Sequence, residues 1–252
     1  MKRTVLLLGV CIGATVASLA AQSGGVSQAR LSEWLQGPDQ RVREAVVAEV
    51  LRIPLSDREP VLQRALITEL MRINDELRSR ETARKAGKPF PPSILGEYHG
   101  ALVEAVAGSD DPAIIPALAG ALGTGRLAAN GLIRFGNAAV GPTALVARVS
   151  TSPIAAASAL RVLGAILRDP KPLSPESRRL IVESARSRLA GTQYPTVVAA
   201  ACELAILTKD AELRLRVTDL ARSPAAAEAL GVRDAELVAL VMRRAARALE
   251  RR

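Results

Sequence analysis

The chain has 252 residues, of which 49% are hydrophobic and only 2% aromatic, and it carries a formal net charge of +9 at neutral pH. A core built almost without rings must be made of Ala, Leu, Val and Ile, the material of closely packed helices. Two cysteines and one histidine are too few for a disulfide framework or a cysteine–histidine zinc cluster.

The first residues read MKRTVLLLGVCIGATVASLAAQ. Lys2 and Arg3 make a positive start, Thr4 to Val16 an apolar run, and Ser18, Leu19 and Ala20 a small-x-small end. That order predicts a secretory signal peptide over residues 1–21, cut after Ala20 or Ala21, and an exported protein, periplasmic or secreted. The alternative is an uncleaved anchor, for which the run is short against the roughly 20 residues of a full span. Val10 stands before Cys11, where a lipoprotein site would want a small residue. Without the leader Cys202 is the one thiol left, and its Ala-rich helical surroundings point to a buried structural cysteine, with an intermolecular bridge as the alternative.

From residue 22 onward the pattern is helical. Helices are expected near 27–36, 40–53, 57–80, 93–107, 112–122, 126–135, 138–149, 153–168, 175–190, 196–208, 211–222 and 233–250, with a short turn near 224–230. Ser56 with Glu59 reads as a capping box, and behind it Leu62, Leu66, Leu70, Ile73 and Leu77 recur at helical spacing. Asp111-Pro112, Ser152-Pro153, Ser174-Pro175 and Ser223-Pro224 each set a capping oxygen before a proline that needs no N–H partner. Residues 81–92 contain Gly87, Pro89, Pro91 and Pro92 and are expected to be an irregular basic connection, either a binding loop or a tolerated insertion. No stretch alternates with a period of two.

A sentence of small residues returns along the chain. LAANGLIRFG at 127–136 and AAASALRVLG at 155–164 align on Leu132 and Leu160, which places Ala128, Ala129 and Gly136 on Ala156, Ala157 and Gly164. Leu204 continues the series with Ala200 and Ala201, and Leu230 with Ala226 and Ala227. Asp39 to Leu51 is an N-terminal relative. A helix pair cannot cover its own apolar faces and must stack on the next. At such a seam Ala and Gly admit the neighbouring backbone.

On these residues, with Asp39, Val42, Arg43 and Ala45 of the first unit and the start at Asp111 and Pro112, the chain resembles the HEAT or HEAT-like (bilin-lyase type) repeat family. The aromatic positions of tetratricopeptide repeats are missing. The resemblance implies an all-α fold over 22–252, a curved α-solenoid of about five or six stacked antiparallel helix pairs whose inner helices line a concave surface.

Chemistry is sparse. His99 lies near Glu97 and Glu104, which suggests an acid–base or metal pair, but one imidazole without further ligands fits a packing or solvated role better. Asp110 and Asp111 suit a helix start. Gly120, Gly123 and Gly125 lack the strand and the Lys-Ser or Lys-Thr of a phosphate loop. Basic residues gather at Arg178, Arg179, Arg186 and Arg188, at Arg243, Arg244, Arg247, Arg251 and Arg252, and around Arg78, Arg80, Arg84, Lys85 and Lys88. They read as solvated helix faces or as an anion-facing surface. Trp34, Phe90, Tyr98, Phe135 and Tyr194 are too scattered for the stacking platform of a nucleic-acid binder.

These readings predict a non-catalytic protein-interaction or scaffolding module outside the cytoplasm, with no cofactor, no metal and no catalytic residue. The alternatives are a bilin-lyase-like, small-molecule-handling enzyme acting through His99 or Cys202, and a binder of an anionic envelope surface through its arginine-rich helices.

Overall fold

The computed structural model describes residues 26–87, 95–191 and 194–250. The expected signal peptide over 1–21 with Cys11, residues 88–92 of the expected connection, Phe90 among them, and Arg251 and Arg252 lie outside them. Every regular element among the described residues is a helix, and none is long and apolar enough to cross a membrane. The chain divides into two compact units, the first ending at Ala117 and the second beginning at Leu118.

The first unit contains α1 (Gln28–Leu35), α2 (Gln40–Val50), α3 (Pro60–Lys85) and α4 (Leu95–Ala107). Sequential helices touch, α1 on α2 and α3 on α4, and so do alternate ones, α1 on α3 and α2 on α4. Two hairpins are thus laid side by side, and the seam is filled by Leu31, Leu35, Val46, Val50, Leu62 and Leu66. A short helix, α5 (Ile115–Gly120), contains the boundary between the units.

The second unit repeats this arrangement. It is built from α6 (Arg126–Phe135), α7 (Val140–Val149), α8 (Pro153–Arg168), α9 (Pro175–Ala190), α10 (Pro195–Thr208), α11 (Ala211–Arg222), the single-turn α12 (Pro224–Glu228) and α13 (Ala235–Glu250). α8 packs on α6 and on α10, α9 packs on α7, and each hairpin closes on itself through α8 with α7 and α10 with α9. One row therefore runs α6, α8, α10 and the other α7, α9, α11, while α13 closes the end against α10 and α11.

The recurring sentence falls on the first row. Leu132, Leu160 and Leu204 are buried in α6, α8 and α10, and so are Ala128, Ala156 and Ala200. The two aligned glycines serve different ends. Gly136 takes φ of 55° at the end of α6, a left-handed turn that glycine makes without strain. Gly164 is inside α8, where an added Cβ would come within 3.3 Å of Leu207 Cδ1 on α10. The fourth copy, at Leu230, builds only the five-residue α12. The bulk beside α10 is supplied by α13, whose apolar Val238, Val241 and Ala245 are buried.

The helix starts follow the local signals. Asp111 accepts from the Ala113 N–H at 2.9 Å, Ser152 from Ala155 at 3.3 Å, Ser174 from Ser177 at 3.1 Å and Ser223 from Ala226 at 3.4 Å. The capping box at Ser56 does not form. Residues Leu55–Asp57 make a 3-10 turn, and α3 starts at Pro60, because a residue before proline is pushed out of the helical region. The Glu59 N–H goes instead to Gln28 Oε1 of α1 at 2.7 Å, and Gln28 Nε2 donates to the Asp57 carbonyl at 2.7 Å. At its other end α3 runs on to Lys85, into the segment expected to be irregular. Beyond Asn74 it buries no further residue, and its last turns are laced by Glu76 with Arg80 and Glu81 with Arg84 and Lys85. Pairs at such spacing support a helix that has lost its apolar seam.

Two substitutions should move stability in opposite directions. Gly164→Leu forces a large side chain against α10 and should cost about 1–3 kcal/mol. Thr143 is fully buried in α7 with no hydrogen-bond partner for its hydroxyl, so Thr143→Val should add about 1–2 kcal/mol by removing an unsatisfied polar atom. Urea unfolding midpoints measure both, and a stable Gly164→Leu variant would contradict the close seam.

Candidate functional site

The densest polar cluster lies in the first unit, on the apolar side of α3. Glu69 stands among Leu66, Leu70 and Ile73 on that stripe and is 4% exposed. A lone carboxylate there would be costly, so it is paired. Arg72, three residues on, grips it with Nε on Oε2 and Nη2 on Oε1, both at 2.7 Å. Tyr98 of α4 donates its hydroxyl to Oε1 at 2.8 Å. Arg43 of α2 brings Nε to 3.0 Å from the same oxygen, an ion pair too bent to be a hydrogen bond, and its Nη1 donates to the Gly37 carbonyl. One carboxylate thereby joins α2, α3, α4 and the α1–α2 turn.

The arrangement shifts its members. The hydrogen bond from Arg72 to Glu69 raises the guanidinium pKa further above its ordinary value. Burial and the hydrogen bond to Glu69 push the Tyr98 phenol well above its usual range. Both Glu69 oxygens are taken by donors, which makes the carboxylate a structural acceptor. Beside it opens a cleft of about 450 Å³, lined by Gln36, Gly37, Pro38, Thr68, Glu69 and Arg72 among others. A larger recess of about 550 Å³ is lined, among the described residues, by one face of α3 alone, from Asp75 to Ala86.

His99 is placed by α4 in the packed interior and is 4% exposed. Its Nε2 lies 2.8 Å from Asn74 Oδ1, and Asn74 Nδ2 donates to the Ala117 carbonyl at 2.9 Å. Because the Asn74 amide nitrogen is already a donor, its oxygen must accept, and His99 Nε2 carries the hydrogen. Burial lowers the imidazole pKa below its ordinary value. Glu97 and Glu104 are exposed on the same helix while His99 is buried, so the imagined pair is never assembled. No group of three or more His, Cys, Asp or Glu side chains suited to a metal ion occurs among the described residues.

Cys202 is buried in α10, and burial pushes its thiol up to about 12, which leaves little thiolate for chemistry. The arginine clusters separate by role. Arg188 reaches across to the carbonyls of Ala147 and Ser150 at the end of α7, a structural cap. Arg186 pairs with Glu212 at 3.2 Å and Arg179 with Glu183 at 3.8 Å, and the Arg78–Lys85 group pairs along α3. Arg243, Arg244 and Arg247 lie on α13, and all three are exposed. Among the aromatics, Trp34 is half-buried under Arg30, Phe135 half-buried beside Arg134, and Tyr194 exposed.

Neither Glu69 nor Asn74 was singled out by the sequence pattern. The available signal was a carboxylate and an amide sitting within the run Leu66, Leu70, Ile73, where the stripe should be apolar.

Removing Glu69 strands Arg43 in the interior, so Glu69→Leu should cost about 3–5 kcal/mol, read as a lowered unfolding midpoint. His99 makes stability depend on pH. Its folded pKa lies below the unfolded one, so the stability tied to the neutral ring is complete above about pH 6.5 and drains as pH falls below it. The urea midpoint should therefore drop more between about pH 8 and pH 5 for the parent chain than for His99→Gln. Equal drops would show that the ring titrates alike in both states.

Comparison with family models, with curated proteins and with solved structures gives no match to this chain.

Proposed function

We propose that this protein is a non-catalytic, HEAT-like helical-repeat module that binds another protein outside the cytoplasm. The observation that carries the reading is the row α6, α8, α10. Three helices lie side by side, packed on one another along their flanks; α6 and α8 keep exposed positions toward solvent, and α10 keeps Thr196 exposed and Ala199 and Glu203 half-buried. Such a row offers a broad surface whose spacing is set by the packed seams beneath it, and repeat proteins use surfaces of this kind to hold partners. The polar residues that attract attention in the interior, Glu69, Tyr98, Asn74 and His99, are engaged with one another or with backbone. Export rests on the order of charge, apolar run and small residues in 1–21.

The exposed Arg243 and Arg244 on α13 favour a second reading, contact with an anionic surface. That contact would weaken steeply as salt rises, whereas docking of shaped surfaces would weaken less.

Two measurements test the proposal. Mass spectrometry of the protein recovered from the exported fraction should find the chain beginning after Ala20 or Ala21. Cross-linking of the full chain in that fraction should then yield a saturable protein adduct that persists at moderate salt. If no adduct forms, the interaction reading is wrong.

A further inference from the structure

The two rows of the second unit carry their charge differently. On the second row Arg148 and Arg179 are answered by Glu183, and Arg186 by Asp210 and Glu212, while Arg178, Arg214, Arg216 and Arg222 are exposed and share their helices with Glu176, Glu183, Glu212 and Asp219. On the first row Arg126 of α6 and Arg161 and Arg168 of α8 are exposed and make no ion pair among the described residues. Neither α6 nor α8 contains an acidic residue, α10 contributes only Glu203, and Asp169, which caps the end of α8 after Arg168, accepts from the Lys171 N–H rather than pairing with an arginine. An exposed guanidinium without an ion-pair partner keeps its attraction for an incoming anion.

The geometry of α8 sharpens this. Its solvent side is a narrow stripe of Ile154, Ser158, Arg161, Ala165 and Arg168, since most of the residues between them are buried. Ile154, Arg161 and Arg168 recur every seven residues, about 10 Å apart along the axis. The approach to α6 lies level with the start of α8, where a Cβ added at Gly123 would be 3.6 Å from Ala155. At that end Ile154 and Val149 are 66% and 64% exposed, an apolar step beside the arginines. Ser158 and Ala165 are small, and they hold the floor of the stripe low enough for a backbone to approach.

We infer that the exposed side of α8, flanked by α6 and α10, binds an acidic polypeptide segment in an extended, polyproline-II-like form, with an apolar residue at Ile154 and carboxylates at Arg161 and Arg168. This rests on the protein-binding reading and names its surface and partner chemistry. Such a segment turns once every three residues and advances about 3.1 Å per residue, so every third side chain faces the same way about 9 Å further on. That repeat matches the spacing of the anchors on the helix. Bidentate pairing of guanidinium with carboxylate fixes the register.

The test is fluorescence anisotropy of the full chain with a labelled peptide, Leu-Gly-Ser-Glu-Gly-Ser-Glu, and with a rearranged peptide of equal charge, Leu-Glu-Glu-Gly-Ser-Gly-Ser. The first should bind more tightly, and binding should weaken as salt rises. Arg161→Glu with Arg168→Glu should weaken it by roughly tenfold or more, while Arg243→Glu with Arg244→Glu, an equal change of charge on α13, should alter it less than about twofold. Both pairs are exposed, and circular dichroism confirms that each variant keeps its helices. Equal losses in the two variants, equal binding of the two peptides, or binding confined to phosphatidylglycerol vesicles each overturns the assignment. If the cross-linked adduct of the exported fraction survives Arg161→Glu with Arg168→Glu, this face is wrong and the interaction reading stands. If the parent chain forms no adduct and binds neither peptide, both fall together.

Discussion

Two helices joined by a short turn always leave an apolar side they cannot cover by themselves, and in this chain it is covered between hairpins. Within the first unit α1 lies on α3 and α2 on α4, and within the second α8 lies between α6 and α10. The closeness of these seams is set by what is missing from the side chains. At Gly164 even a methyl group would press on Leu207, and Ala156, Ala157 and Ala200 lie buried in the same two helices. A core with almost no aromatic residues has no large ring to fill a gap, so the helices must come together until aliphatic chains fill it. Short helices, small residues and proline-marked starts all suit that requirement.

The polar interior of the first unit obeys a different constraint. Glu69 is buried because it sits on the core side of α3, and a buried carboxylate persists only with its partners. Arg43, Arg72 and Tyr98 supply them from α2, α3 and α4. A knot of this kind does little for net stability compared with an apolar replacement, but it punishes any packing that separates its members. It therefore specifies which helix face meets which. The same logic applies to His99 and Asn74, whose hydrogen bonds end on the Ala117 carbonyl.

The proposed binding surface depends on charge that is left alone. Arg178, Arg179, Arg186 and Arg188 looked in the sequence like one basic patch, yet in the structure the last three each have a partner in ion pairs or at the end of a helix, and Arg178 is exposed. Arg161 and Arg168 drew no notice in the sequence, because seven residues separate them and apolar positions fill most of the interval. On a helix that interval is two turns, and it brings them to one side.

Read alone, the order of residues settles the helical class, almost all the helix positions, the caps at Asp111, Ser152, Ser174 and Ser223, and the equivalence of α6, α8 and α10. These depend on contacts within a few residues of one another and on periodicity, which a linear reading can see. That reading misplaced the start of α3 by preferring a capping box at Ser56 to the restriction that Pro60 puts on Glu59, and it could not see that the Glu59 N–H finds its partner in Gln28, 31 residues away. It also took Leu230 for a fourth copy of the row, since composition repeats more readily than length does. Three outcomes came from the folded chain: Arg43 reaches Glu69, His99 is sealed in the interior away from Glu97 and Glu104, and Arg161 and Arg168 stand open along one side of α8. Each depends on which distant segments meet, and packing settles that after the local choices have been made.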